Sequence, residues 1–497
     1  MDNRLRRALA DGTFAITVEV VPPSRRVPLG EALRPALALA DKSAGDPRIA
    51  GLGVTDRVLS DTDHDPIAAS LLLARASGTS PLVHLSGKDR LPERVALAVR
   101  ALAAAGLDNV LCVTGDRLKV MPADRRVPFV DSVQAVAIAR RLLPGALIAA
   151  AVSPFKYTEE ETHNQYLKMA RKHAAGADLL VTQVGWDPRK LAELMRYRRR
   201  RDLAQPVIAN LMPLSAGSAR RLQTGAVPGV VVSDDLAALV QAESQAADKG
   251  RAARLSRLAL QLVGAEHLGF AGVQLSGLTT YDDVARVLDL AEEWRMHAPT
   301  VADWWWCWEE SLRLPSGAIA RLHREPGYFV FDTAARRPPA HRAGASERLR
   351  YRALRVAHDV VFEPASPVAR VLGPLARRIP SGSRAAARLA ALEQWIKRPL
   401  VGCDVCGRCR LPATFYVCPE TCPKGLANGP CGGSTDNICE AGDRPCIHAL
   451  IYRLAAAAGD VQRLEGELVA AAPEPRGGSS WLRHFAEAEA TPRRMAR

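Results

Sequence analysis

Several features are missing from this chain, and each absence excludes something. No window holds about eighteen uninterrupted apolar residues, the length a helix needs to cross a bilayer. The best stretch, 142–152, is too short and contains Pro144 and Gly145. The first residues, MDNRLRRALADGTF, have no apolar core of the kind that heads a secretory signal. No G-x-G-x-x-G closes an early strand-to-helix turn, so the usual dinucleotide fingerprint is absent. No internal repeat is visible. The expectation is a cytoplasmic globular protein with no membrane span.

Cysteine is nearly absent from the first four hundred residues, where only Cys112 and Cys307 occur. The other eight of the ten cysteines fall within Cys403–Cys446. A secreted protein spreads its cysteines as staples, whereas a cytosolic one clusters them to hold metal. Acidic charge is also in short supply: 53 Asp and Glu against 67 Lys and Arg leave a net charge of +14. Between Val301 and Leu400 there are 17 basic and 9 acidic residues, so this fifth of the chain carries over half of the excess. That stretch is either a solvated arginine-rich surface or a docking face for an acidic partner.

What remains is ordinary for a globular protein: 497 residues, 48% hydrophobic and 24% charged. Up to about residue 300, short β-branched runs alternate with Ala/Leu/Arg-rich helical stretches. The runs are 16–21, 51–55, 81–86, 109–115, 147–153, 178–184, 207–211 and 272–276. Eight runs with intervening helices predict an α/β fold, a (β/α)8 TIM barrel, with a doubly wound sheet as the alternative. Polar residues recur where the runs end: Glu19, Thr55-Asp56, His84 and Ser86, Thr114-Gly115-Asp116, Gln183 and Asn210. In a barrel all strand C-termini open on one face, which holds the active site.

Residues 300–400 form an Arg- and Trp-rich connecting and docking region. Its Trp304-Trp305-Trp306-Cys307-Trp308 run reads as a packing anchor against the barrel. A small Cys-rich metal-binding domain follows at 401–472, then a mobile tail at 473–497. The cysteine spacing is Cys403-x2-Cys406-x2-Cys409-x8-Cys418-x3-Cys422-x8-Cys431-x7-Cys439-x6-Cys446. Eight thiolates make two four-ligand sites. C-x2-C-x2-C can wrap three corners of a cubane, and Cys-Pro pairs recur at 418–419 and 422–423, so two [4Fe–4S] clusters are expected. Zinc in one or both sites is the competitor. The segment 403–446 carries 4 basic against 5 acidic residues, which argues against a nucleic-acid partner.

Thr17-Val18-Glu19-Val20-Val21-Pro22-Pro23 resembles the opening motif of the methylenetetrahydrofolate reductase family. In the same order follow Val54-Thr55-Asp56, His84-Leu85-Ser86, Val113-Thr114-Gly115-Asp116, and Gly176-Ala177-Asp178 with Thr182-Gln183. The match spans about 10–295, consistent with a barrel domain at 1–299. The cysteine region resembles the separate C-terminal module fused to, or encoded beside, some of these reductases. The resemblance implies flavin-dependent reduction of 5,10-methylenetetrahydrofolate to 5-methyltetrahydrofolate, or the reverse in a methyl-oxidising pathway. The flavin is FAD, with FMN as the alternative. Glu19 then matches the general acid, Asp116 the acidic residue near pterin and flavin, and Gln183 the residue that bonds the pterin edge. Thr55, His84 and Gly115-Asp116 match positions around the isoalloxazine, and Arg171 and Lys172 match residues that meet the cofactor phosphates. Ser153-Pro154-Phe155-Lys156-Tyr157 replaces the family's Tyr-Pro-Glu-x-His segment, and Ser276-Gly277-Leu278 replaces its usual Asn-Arg. These departures favour an electron-carrier protein over NAD(P)H as the donor, with the Cys-rich module as the relay. The competing expectation is a zinc-stabilised basic scaffold with a relic barrel. The oligomeric state is left open, a homo-oligomer included.

Overall fold

The run AITVEV folds as strand β1, Ala15–Val20, and sets the pattern for the sheet. Its alternate residues Ile16, Val18 and Val20 belong to the core between strands and helices, while Ala15, Thr17 and Glu19 face the other way. Seven further strands follow: β2 Ile49–Val54, β3 Leu82–Ser86, β4 Asn109–Val113, β5 Leu147–Val152, β6 Leu179–Thr182, β7 Val207–Leu211 and β8 Gly272–Leu275. All pair in parallel, in sequence order, and β1 closes on β8 with Ala15 opposite Gly272. The fold is therefore the closed (β/α)8 TIM barrel that the eight runs predict. Near-continuous burial along each strand reflects packing on both faces of a parallel sheet.

The helices begin where the sequence offers a cap. Asp65, Asp131 and Thr158 accept hydrogen bonds from the first helical amides of Pro66–Ser77, Ser132–Leu142 and Glu159–Ala174. Inside the barrel, Ala15, Leu82, Leu111, Leu147, Leu179 and Ile208 form a second cluster with Leu5. The N-terminal helix Arg4–Ala10 packs into that cluster at the strands' N-terminal end. The opposite end, where the strands finish, is left to polar side chains.

The computed structural model describes residues 2–58, 60–120, 127–323, 327–331, 341–466, 468–472 and 476–490. The chain divides into two compact units, 1–340 with 430–442, and 341–429 with 443–497. In the first, Trp304 and Trp308 are buried, and Trp304 Nε1 donates to the Leu260 carbonyl at 2.8 Å. The Trp run is thus a packing anchor on the helix Arg251–Leu268. The second unit contains helices at Ala345–Phe362, Pro367–Arg377, Arg384–Val401, Ile447–Ala457 and Ser480–Ala490, with the cysteine-bearing loops between them. Among the described residues, no helix is long and apolar enough to cross a membrane.

Candidate active site

Period two along each strand determines which side chains enter the barrel's polar end. Counting from Ala15 brings Glu19 inward, from Leu82 His84 and Ser86, from Leu179 Gln183, from Ile208 Asn210, and from Gly272 Gln274 and Ser276. Thr55 follows β2 and Gly115-Asp116 follows β4, at the same end. Six predicted residues, Glu19, Thr55, His84, Gly115, Asp116 and Gln183, therefore share one face of the barrel.

Gln274 Nε2 donates to Glu19 Oε2 at 3.0 Å. Ser276 also bonds the Glu19 carboxyl, and its hydroxyl donates to Asn210 Oδ1 at 2.6 Å. Among the described residues, no cation acts on Glu19. Desolvation dominates, and pushes the carboxyl up to about 7 against the opposing hydrogen bonds. Burial pushes His84 down to about 4, with the Asp56 carboxylate opposing, so the imidazole is neutral at physiological pH. Asp56 itself is held by the Ser86 amide at 2.9 Å, by Arg57 at 3.3 Å and by Arg90. Gly115 has φ +81°, and a Cβ there would lie 2.1 Å from Ser86 Oγ, so only glycine fits this turn. Asp116 is partly exposed just beyond it. Gln183 Oε1 accepts from the Val184 amide at 2.8 Å, which leaves its NH2 group as the donor toward the mouth.

Among the described residues, the buried hydroxyls of Thr55 and Ser153 at this end have no hydrogen-bond partner, and the His84 imidazole has only the Gln274 amide beside it. Such atoms are costly unless a ligand or water satisfies them. They fit a flat, hydrogen-bonding ring system.

Arg171 and Lys172 sit differently. The resemblance matches them to residues that meet the cofactor phosphates, yet Arg171 is 5% and Lys172 4% exposed. The helix Glu159–Ala174 is covered on nearly every side, so its late basic residues point into the protein. Lys172 Nζ donates to the Ala151 carbonyl, and burial with the neighbouring Lys168 holds its pKa well below the ordinary value. Two further buried lysines escaped the sequence reading. Lys168 Nζ donates to the Pro430 carbonyl at 2.9 Å, and Lys156 Nζ to the carbonyls of Gly432, at 2.7 Å, and Ser434. No local pattern announces contacts more than 260 residues apart in sequence. Gln274 escaped for the same reason: its partner lies across the β8–β1 seam.

In the second unit, Cys403, Cys406, Cys409 and Cys418 line one cavity together with Glu393, Lys397 and Glu420. Lys397 Nζ donates to Glu393 Oε1 at 2.6 Å and reaches Cys409 Sγ at 3.6 Å. Burial raises the Cys403 thiol and pushes Cys418 up to about 12, so neither ionises at neutral pH without a compensating cation. Among the described residues, no three His, Cys, Asp or Glu side chains converge on a single-ion site. Cys422 and Cys446 belong to this unit, whereas Cys431 and Cys439 belong to the first. Cys431 Sγ lies 3.4 Å from Glu440 Oε2.

A closed parallel barrel with a desolvated carboxylic acid and unsatisfied polar groups at its strand ends is the arrangement of a (β/α)8-barrel enzyme. The family model described as Methylenetetrahydrofolate reductase matches residues 4–255, just over half of the chain, and the chain belongs to that family. A second model, Methylene-tetrahydrofolate reductase C terminal, matches residues 384–472. The protein is thus a methylenetetrahydrofolate reductase-like oxidoreductase fused to that C-terminal module. Among solved structures, an uncharacterized protein from Clostridium thermocellum that binds two copies of 5-methyl-5,6,7,8-tetrahydrofolic acid aligns over 59% of this chain and 99% of its own, at 14% identity and TM-score 0.44. A putative lyase/mutase from Burkholderia cenocepacia J2315 aligns over 61% and 92%, at 17% identity and TM-score 0.32. No curated protein matches the chain significantly.

Proposed function

We propose that the barrel reduces 5,10-methylenetetrahydrofolate to 5-methyltetrahydrofolate with a bound flavin, FAD or FMN, and that a Cys-rich Fe–S module supplies the electrons. The observation that carries this reading is the Glu19 carboxyl, held near pKa 7 by burial, with no cation acting on it among the described residues. The folate's imidazolidine ring must open to a 5-iminium cation before hydride can arrive, and opening needs a proton at N10. Glu19 holds that proton at neutral pH, and the Gln274 amide fixes the carboxyl's orientation. Asp116, beyond the β4 turn, stabilises the developing iminium charge. The NH2 group of Gln183 donates to the pterin edge. Thr55 offers an unpartnered hydroxyl and His84 a neutral imidazole to the isoalloxazine. When bound, the reduced flavin supplies the hydride.

The phosphate side of the cofactor falls to Arg171 and Lys172. Lys172 donates to the Ala151 carbonyl, so anion binding there requires this contact to be exchanged. For the second unit, the cavity lined by Cys403, Cys406, Cys409 and Cys418 suits three corners from C-x2-C-x2-C and a fourth from farther off. The chain's eight clustered cysteines are enough donors for two [4Fe–4S] clusters. The bound clusters supply one-electron transfer. An external electron-carrier protein is the donor that this arrangement suits.

The test is anaerobic flavin and metal analysis of the purified chain, followed by turnover of Glu19→Gln. Flavin, iron and a large loss of folate turnover are expected. A colourless zinc protein would support the scaffold reading instead.

A further inference from the structure

The second unit carries an apolar surface that the reductase reading leaves without a role. Among the described residues, eleven of the twenty exposed large apolar side chains lie within 345–400. They fall on one stripe of each of three helices. On Pro367–Arg377 the stripe is Val368, Val371, Leu372 and Leu375, at i, i+3, i+4 and i+7. Val371 is 64% and Leu375 52% exposed. This helix is inverted: its small residues Ala369 and Gly373 face inward, Gly373 against Phe485, and its large ones face water. On Ala345–Phe362 the stripe is Leu349, Val356 and Val360, and on Arg384–Val401 it is Leu392, Trp395 and Ile396, with Trp395 77% exposed.

Basic residues accompany the stripes. Residues 345–400 hold 11 Lys and Arg against 4 Asp and Glu. Arg352 lies between Leu349 and Val356 at helical spacing, and Arg388 one turn before Leu392, both exposed. A second copy of the chain would set these positive faces against each other, which like-charge repulsion disfavours. Between the three helices a groove of about 580 Å³ opens, lined by Leu372, Leu375 and Ile396 of the stripes together with Trp481 and Phe485, with Leu349, Val356 and Val360 outside it. Its walls are almost wholly apolar, and the space suits a hydrocarbon chain. Basic helices with an outward apolar stripe and a tryptophan are the composition that seats in a lipid headgroup layer.

We propose that the helices Ala345–Phe362, Pro367–Arg377 and Arg384–Val401 form a docking face for an anionic lipid bilayer, with the groove receiving an acyl chain. The face brings the enzyme to a membrane surface without spanning it. This is independent of the chemistry assigned to the barrel.

The full-length protein is sedimented with vesicles of phosphatidylglycerol and phosphatidylcholine in equal parts, and with phosphatidylcholine alone. Binding to the anionic vesicles only is expected, falling as salt rises. Val371→Ser with Leu375→Ser, and separately Arg352→Glu with Arg388→Glu, should each weaken it by roughly tenfold or more while leaving the thermal midpoint in place, because all four side chains are exposed. Tryptophan emission should be quenched by vesicles brominated in the acyl chain, and less so after Trp395→Phe with Trp481→Phe. No association with either vesicle overturns the proposal and leaves an acidic protein as the partner. Undiminished binding by the serine variant overturns it as well. So does a dimer in sedimentation velocity that the serine variant dissolves, which would assign the face to a second copy.

Discussion

Desolvation keeps the proton on Glu19, and stability and turnover both depend on that proton. In the unfolded chain the carboxyl titrates near its ordinary value, whereas in the fold it titrates near 7. Between those limits the folded state binds more protons, so stability falls as pH rises through this window. Glu19→Gln removes the ionisable group and keeps the hydrogen bond to Gln274. The variant should therefore be more stable than the wild type at pH 8 by about 1–3 kcal/mol, and show little difference at pH 5. Thermal melts at both pH values read this directly. The same variant should lose roughly 10²–10⁴-fold in folate turnover while keeping its flavin. Wild-type turnover should fall above about pH 7 as the acid form is lost. His84 is already neutral over that range, so it adds no inflection near pH 7. A Glu19→Gln enzyme with unchanged turnover would remove the general acid from the mechanism.

The helix Glu159–Ala174 separates what a sequence can announce from what it cannot. Its start is legible in Thr158 followed by three acidic residues, and its Arg171-Lys172 pair resembles a phosphate contact. Its burial is not legible, because it depends on Ala151 of β5 and on Pro430 far along the chain. Arg171→Ala with Lys172→Ala should therefore do more than weaken flavin retention. It removes two long side chains from a packed site and leaves the Ala151 carbonyl unsatisfied, a loss of about 2–5 kcal/mol. Lys172→Met, which keeps the volume and removes the desolvated charge, should be far milder. Denaturant melts of the two variants beside their flavin content separate packing from cofactor binding. The Trp run follows the same logic. Gly264 on the helix Arg251–Leu268 meets the Trp304 ring so closely that an added Cβ would lie 2.0 Å from it. Gly264→Ala should destabilise by about 1–3 kcal/mol through overpacking, even though alanine is the better helix former. The eight strands, by contrast, are legible to within two residues at every end, since β-branched runs with helices between them leave a barrel few rivals.

At the scale of the whole chain, the question is how to test the barrel and the Cys-rich module separately. Truncation is the obvious route, and the fold argues against it. A chain ending at 299 loses the Trp304 anchor. It also loses 327–331, where Tyr328 donates to Asp187 at 2.9 Å and the Val330 amide to Glu193 at 3.0 Å. Ending at 340 still removes Pro430 and Gly432, whose carbonyls accept from Lys168 and Lys156. Buried ammonium groups stripped of acceptors cost several kcal/mol each, so a truncated protein would confuse folding with electron transfer. Cys403→Ser in the full chain is the cleaner experiment. Its side chain lines the cavity with Cys406, Cys409 and Cys418, and the change is nearly isosteric. If that cavity holds a cluster, the variant should lose iron and visible absorption while its barrel keeps flavin. It should then retain the folate half-reaction with a dye and lose coupling to the native electron donor. If the cysteines hold zinc for structure alone, the variant should melt earlier and keep its full rate with NADH. Iron content and dye-coupled turnover, measured on one anaerobic preparation, decide between these outcomes.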